Sequence, residues 1–226
     1  MNWKNFSLKK INTPEYRHVW LLTFWIIYLI VFQTLEHRVL PDNQYHIIYC
    51  RLDDIIPFSE YFVVPYLYWF IYMIGMLVYS LFFDRECFVY YMKLIMITST
   101  VACITYYVYP TALNLRPTEF VHDNVFTKIT AVIYGFDTST NVCPSMHVTG
   151  TLSTLFAAYR AKYMRGNKGV RTFMIISAVA ICTSTVFMKQ HSFVDVVWGV
   201  IVATGAYAAV NVRTLVYSLK RSATGA

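Results

Sequence analysis

The 226-residue sequence contains few charged side chains. Only 14% of its residues are Asp, Glu, Lys or Arg, whereas 57% are hydrophobic, and a soluble domain carries about 25% charged residues. The apolar residues form blocks close to the ~20 residues that a membrane-spanning helix needs. A soluble globular fold is excluded, because the few polar residues could not cover so much apolar surface.

The sequence also lacks the motifs of several other protein classes. Its five cysteines form no Cys-x-x-Cys pair, which argues against a zinc or redox site. A disulfide between Cys50 and Cys143 is left open. There is no internal repeat and no low-complexity segment. The net charge of +7 comes from Lys and Arg in short loops between apolar blocks, which indicates contact with anionic lipid and not with nucleic acid.

Six apolar blocks predict an all-α, six-transmembrane-helix bundle that forms a single membrane domain. The predicted spans are 19–35, 61–83, 88–109, 144–159, 172–188 and 191–217. The first block follows a basic segment, as a signal peptide would. It is too long for one and no small-residue cleavage site follows it, so we interpret it as a retained helix.

The distribution of positive charge predicts the orientation in the membrane. An excess of Lys and Arg marks the segment 1–18, the loop 160–171 and the tail 218–226, and such an excess favours the cytoplasmic side. Six spans place all three on that side and the connections 36–60, 110–142 and 189–191 outside. The small chain with compact loops favours a bacterial plasma membrane.

The outside connections contain residues suited to phosphate chemistry. Arg116 offers a fork of donors that can bind a phosphate group in a bidentate manner. Pro144 and Ser145 begin a helix, where free backbone N–H groups attract anions. Ser145 adds a hydroxyl donor, although simple capping is the alternative. His147 can donate a proton to a leaving oxygen.

His191 and Asp195 are four residues apart, which would place them on one face of a helix. A carboxylate that accepts from one imidazole nitrogen leaves the other nitrogen as a nucleophile. A chance surface pair is the alternative, but ionisable residues at the end of a membrane helix are costly and usually functional. Lys189 adds a positive charge nearby. The alternative is that this charge only contacts lipid head groups or sets the orientation of the chain in the membrane.

These segments resemble the three motifs of the type 2 phosphatidic acid phosphatase (PAP2) superfamily of membrane lipid phosphatases. The matching residues, in order and spacing, are Arg116-Pro117, Pro144-Ser145-Met146-His147, Ser184, His191 and Asp195. Tyr109 stands where the first motif has Lys, and Thr185 stands where the third has Arg. The third motif is closer to the sphingomyelin and inositol phosphorylceramide synthase branch, and Lys189 is expected to replace one missing cation.

The resemblance implies an active site at the non-cytoplasmic helix ends and a phosphohistidine intermediate. His191 would attack phosphorus, Asp195 would orient it, and His147 would protonate the leaving group. The expected phosphate-binding residues are Arg116, Ser145 and Lys189. No metal or other cofactor is expected, because cationic side chains would stabilise the developing charge.

Three functions follow as alternatives. The first is a lipid phosphatase that hydrolyses a phosphomonoester or pyrophosphate. The second is a phospholipid head-group phosphotransferase or phospholipase C of sphingomyelin-synthase type, which Tyr109 and Thr185 favour because a diester carries less charge. The third is a catalytically silent membrane scaffold or transporter. Asp53 and Asp54 are candidate head-group contacts, with a solvated acidic loop as the alternative.

Overall fold

The computed structural model describes residue 3, residues 7–41 and residues 44–224, with residues 213–224 described by their backbone alone. The chain is 69% helical and 2% strand, as the all-α prediction requires. The described residues form eight α-helices: α1 (Thr23–Glu36), α2 (Leu52–Ile55), α3 (Val63–Phe83), α4 (Arg85–Val108), α5 (Val125–Phe136), α6 (Met146–Ala158), α7 (Lys168–Phe187) and α8 (Phe193–Thr224). Two short strands, β1 (His46–Ile47) and β2 (Thr111–Ala112), pair in parallel.

Five helical segments are long and apolar enough to cross a membrane. They are Arg17–Glu36, Glu60–Phe83, Arg85–Val108, Lys168–Phe187 and Phe193–Val212. Each has 20 to 24 residues, which matches the hydrocarbon thickness of a bilayer. Large apolar side chains such as Ile27 and Ile71 point outward and are more than 60% exposed, as lipid contact requires. The chain is therefore a membrane protein.

The predicted fourth span corresponds to α6, which has only 13 residues. This helix packs against α3, α4, α7 and α8, so protein and not lipid surrounds it. Apart from Val148, its buried residues are small or carry hydroxyl groups: Thr149, Gly150, Thr151, Ser153, Thr154, Ala157 and Ala158. Within the described part of the chain, five helices rather than six thus have the length and hydropathy of a span.

Gly199 allows α8 to approach the beginning of α6. A Cβ atom at this position would lie 2.8 Å from Val148 Cβ and 3.2 Å from the Ser145 carbonyl oxygen. The first of these distances is shorter than van der Waals contact, so any larger residue would push the two helices apart. The close approach fixes the position of α8 relative to Ser145.

The connection 110–142, predicted as a loop, contains the helix α5, and this part of the prediction was wrong. Asn124 begins the helix with a capping box, in which its Oδ1 accepts from the N–H groups of Phe126 (2.8 Å) and Thr127 (3.0 Å). Apolar side chains of α5 pack against Val63, Tyr66 and Met188. The helix therefore lies against the end of the bundle that holds the candidate residues.

The chain ends differ from the prediction in one respect. The last helix continues to Thr224, beyond the predicted end of the sixth span at residue 217. Residues 1–2, Lys4 and residues 225–226 of the predicted termini lie outside the described residues, as do the side chains of Lys220 and Arg221. Cys50 and Cys143 are both free thiols, so the disulfide left open by the sequence is not formed.

Candidate active site

The two candidate histidines lie together at one end of the bundle. Their ring centroids are 5.8 Å apart. The His191 side chain is buried, and His147 is partly buried. His147 belongs to the first turn of α6, and His191 lies in the turn between α7 and α8. Residues 44 positions apart in the sequence are thus brought to one place by the packing of α6 against α7 and α8.

Ser145 is the residue before α6 and caps it. Its Oγ accepts from the Val148 N–H (3.4 Å), and its own N–H donates to the Asp195 carbonyl oxygen (3.2 Å). Tyr106 donates its hydroxyl to the preceding carbonyl, of Pro144, at 2.7 Å. Ser145 therefore caps α6 through its acceptor oxygen, which leaves its O–H as a possible donor, and the same contacts join this segment to the beginning of α8.

The His147 ring lies between two aromatic rings of α3. Its centroid is 4.3 Å from that of Tyr66 and 4.4 Å from that of Trp69. These contacts fix the orientation of the imidazole. Its Nε2 atom is buried and has no hydrogen-bond partner.

His191 precedes α8 by two residues, so His191 and Asp195 do not share a helical face as predicted. Their contact has another origin, a capping box at the start of α8. Ser192 Oγ accepts from the Val194 N–H (3.2 Å), and Asp195 Oδ2 accepts from the Ser192 N–H (2.9 Å). This arrangement leaves Asp195 Oδ2 3.4 Å from His191 Nδ1, which is long for a hydrogen bond.

Arg116 lies beside the turn that carries His191. Its guanidinium donates to the carbonyl oxygens of Tyr134 (3.2 Å) and Thr138 (2.9 Å) and to the Gln190 side-chain oxygen. It also covers the Tyr134 ring at 4.5 Å. Gln190 was not foreseen from the sequence, since an amide beside a histidine carries no recognisable signal.

Each of four candidate residues has a buried polar atom without a hydrogen-bond partner among the described residues. These four of the ten such atoms are Arg116 Nε, His147 Nε2, His191 Nδ1 and Asp195 Oδ1. Buried polar groups are normally bonded, and leaving one unpaired costs about 1–3 kcal/mol. These four atoms are therefore available to a bound ligand.

Lys189 does not face the histidines as a replacement phosphate ligand would. Its ammonium donates to the carbonyl oxygens of Asp53 (2.6 Å) and Ile56. Burial lowers the pKa of Lys189, and the nearby Asp53 and Asp54 act in the opposite direction. The side chain thus holds the α2 segment against the His191 turn. Tyr109, which stands where the first of the resembling motifs has Lys, stacks on His46 at 3.8 Å.

The two candidate head-group residues have different environments. Asp53 is only 3% exposed and accepts from Ser192 Oγ (2.6 Å), the Phe193 N–H (2.8 Å) and the Cys50 N–H (2.8 Å). It therefore anchors the start of α8 and cannot reach a lipid head group. Asp54 is exposed and accepts from the Tyr49 hydroxyl, so it remains available for such a contact.

Two carboxyl groups near Arg116 were not foreseen. Asp137 Oδ2 accepts from the Tyr66 hydroxyl (3.1 Å) and from Gln190 Nε2 (3.4 Å). Burial raises the pKa of Asp137, and the charge of Glu36 adds to the effect. Glu36 itself is buried and accepts from the Thr138 N–H at 3.0 Å. Asp137 follows α5 directly, so the unrecognised helix hid its position.

Replacing Lys189 with methionine is expected to lower stability. Two buried carbonyl oxygens lose a charged donor, which corresponds to about 2–3 kcal/mol of unfolding free energy. Thermal unfolding of the purified protein measures the loss, with Lys128→Met at an exposed position as the control. A variant with unchanged Tm and only a raised KM for lipid phosphate would instead support the phosphate-binding role.

Comparisons of the chain with models of known protein families, with curated proteins and with solved structures find no match. The resemblance to the lipid phosphatases thus rests on the motif residues alone.

Proposed function

We propose that this chain is a membrane enzyme that transfers the phosphoryl group of a lipid through His191. The observation that carries this proposal is the gathering of Arg116, His147, His191 and Asp195 from three segments of the chain, each with a buried polar atom left unpaired. In this proposal the short helix α6 is the fourth of six spans, in addition to the five long helices. The site faces the non-cytoplasmic side of a bacterial plasma membrane, and both termini are cytoplasmic.

The reaction would proceed in two displacements. His191 Nε2 attacks phosphorus while the bond from phosphorus to the leaving oxygen breaks, and His147 gives that oxygen its proton. Water or a lipid hydroxyl then attacks the phosphohistidine, gives its proton to His147 and restores free His191. The 5.8 Å between the ring centroids suits a phosphoryl group held between the two side chains.

The remaining residues would stabilise charge. Asp195 Oδ2, 3.4 Å from His191 Nδ1, stabilises the positive charge that the ring gains on attack. Arg116 still has its Nε donor free and can turn it to a phosphate oxygen. The backbone N–H groups at the start of α6, beside Ser145, favour an anion in the same place.

The charge at the site favours a phosphodiester over a phosphomonoester. Lys189 is bonded to carbonyl oxygens, which leaves Arg116 as the cation beside the histidines, and the carboxyl groups of Asp137 and Glu36 lie near it. A dianionic phosphomonoester would be attracted by Arg116 and repelled by the two carboxyl groups, so it would bind weakly. This balance supports the head-group phosphotransferase or phospholipase C function, with the lipid phosphatase as the second candidate.

A panel of lipid substrates separates the candidates. Purified protein in detergent and excess chelator is given phosphatidic acid, a polyprenyl pyrophosphate, phosphatidylethanolamine and phosphatidylcholine, and products are identified by mass spectrometry. Diacylglycerol or a transferred head group from the last two supports the phosphodiester function, and inorganic phosphate from the first two supports the phosphatase. No product from any lipid would favour the silent scaffold or transporter.

Replacing Asp137 with asparagine is expected to shift substrate preference. The variant keeps an acceptor for the Tyr66 hydroxyl but removes a negative charge beside the phosphate site. The kcat/KM ratio of phosphatidic acid to phosphatidylcholine should rise about tenfold, as expected when one nearby charge is removed.

The pH dependence of this shift gives an internal check. Because burial raises the pKa of Asp137, the wild-type carboxyl becomes neutral as the pH falls through that raised value. Wild type and Asp137→Asn should then converge at low pH and differ most at high pH. Asp123→Asn, at an exposed position, is the control. A ratio that equals that of the wild type at every pH would exclude an electrostatic role for Asp137.

A further inference from the structure

A polar cavity lies at the end of the bundle opposite to the candidate active site. It has a volume of about 380 Å³ and is lined by four cations and two carboxylates: Lys93, Arg160, Lys162, Arg165, Asp84 and Glu86. Helix α6 begins at the histidine site and ends at Ala158, just before Arg160. Its 13 residues separate the two places by about 20 Å.

The two carboxylates of this cavity do not pair with its four cations. Asp84 uses its carboxylate oxygens to accept from the backbone N–H groups of Cys87 (3.2 Å) and Lys162 (2.8 Å). Within residues 7–41 and 44–212, none of the four cations forms an ion pair with a carboxylate. The cavity therefore presents an excess of positive charge at the level where helices leave the membrane.

Arg160 is held in place at the centre of the cavity wall. It donates to Asn211 Oδ1 at 3.0 Å and lies over the Tyr90 ring at 4.5 Å. Asn211 in turn donates to the Tyr90 hydroxyl at 2.9 Å. A guanidinium has five donors, so the contacts with Asn211 and Tyr90 leave others that can bind an oxyanion.

Apolar grooves continue from the charged cavity along the membrane-facing helices. One, of about 460 Å³, shares Tyr90 and Arg160 with the cavity and is lined further by Leu155, Phe156 and Tyr207. A second, of about 480 Å³, shares Lys93 and continues past Met96 and Ile97. A free phosphate ion would use the cations alone, whereas a lipid would use the cations and the grooves together.

We propose that this end of the bundle binds an anionic phospholipid as a resident lipid, separate from the substrate. The head-group phosphate contacts Arg160, Lys162 and Arg165, and the acyl chains lie in the grooves beside Phe156 and Met96. Basic pockets between membrane helices are known to recognise anionic head groups. A zwitterionic lipid gains less at this site, because its own cation faces the excess positive charge.

Native mass spectrometry of the full chain tests this site. The detergent-solubilised protein is titrated with phosphatidylglycerol, with phosphatidylcholine of the same acyl chains, and with glycerol 3-phosphate as a soluble phosphate. Phosphatidylglycerol should bind at least about tenfold more tightly than phosphatidylcholine, as two to three surface cations would give. Glycerol 3-phosphate should not displace it.

Variants locate the binding. Lys162→Gln combined with Arg165→Gln, both at exposed positions, should remove the preference for phosphatidylglycerol without lowering the Tm of the lipid-free protein. Lys128→Gln, which removes one positive charge at an exposed position outside the cavity, should retain the preference. Equal affinity for the two lipids, an unchanged preference in the double variant, or displacement by glycerol 3-phosphate would overturn the proposal.

Discussion

Replacing His191 with alanine should abolish turnover of every lipid substrate, by roughly 10⁴-fold or more, as loss of a covalent nucleophile does in other enzymes. The fold should be retained, because the His191 ring Nδ1 makes no hydrogen bond and the side chain fills a site rather than the core. Product formation by the purified variant, measured beside its thermal unfolding, gives both answers.

The control for this experiment is His37→Ala. His37 ends α1 at an exposed position, away from the contacts that define the site. It should keep the activity of the wild type. Turnover by His191→Ala within tenfold of the wild type would contradict the assignment, even if the variant folds normally.

Replacing Asp53 with alanine should produce the largest loss of stability. The change leaves the Ser192 hydroxyl and the N–H groups of Phe193 and Cys50 without their acceptor. Loss of a buried, multiply bonded carboxylate costs about 3–5 kcal/mol. Activity should fall as well, because the same contacts position the turn that carries His191.

Asp54→Ala is the matched control, because its carboxylate is exposed and accepts from the Tyr49 hydroxyl. Thermal unfolding should separate the two variants by many degrees. If Asp53→Ala unfolded like the wild type and changed only the preference for lipid head groups, Asp53 would be a head-group contact and not an anchor.

The membrane helices could be predicted from composition because lipid contact imposes a simple requirement. A helix facing hydrocarbon must be apolar over about 20 residues, and five segments have that property. Helix α6 does not need to be apolar over that length, because other helices surround it. Small and hydroxyl-bearing residues instead allow close packing against these helices. Hydropathy alone cannot give the length of a helix that lipid does not touch.

The sequence predicts those site residues whose side-chain chemistry and spacing form a recognisable motif. The structure brings His147, His191 and Asp195 together, although His191 lies outside α8 and the contact arises from helix capping. The role of Lys189 could not be predicted, because its partners are backbone carbonyl oxygens. Backbone acceptors carry no sequence signal, and only the path of the α2 segment places them there.

The contacts of Asp137 also could not be predicted from the sequence. Its carboxylate joins Tyr66 of α3 to Gln190 of the turn before α8. These residues are far apart in sequence, and none belongs to a recognisable motif. The link depends on how α5 packs across the end of the bundle, which the sequence did not reveal.

In the proposed function, His191 carries the phosphoryl group during turnover. Rapid quenching of the wild-type protein with the best substrate of the lipid panel, followed by peptide mass spectrometry under non-acidic conditions, tests it most directly. This mechanism predicts an acid-labile adduct on the peptide that contains His191. The adduct should form and disappear at the rate of turnover, and it should be missing from His191→Ala. An adduct on another residue, or turnover by the alanine variant, would contradict the role of His191 as the nucleophile.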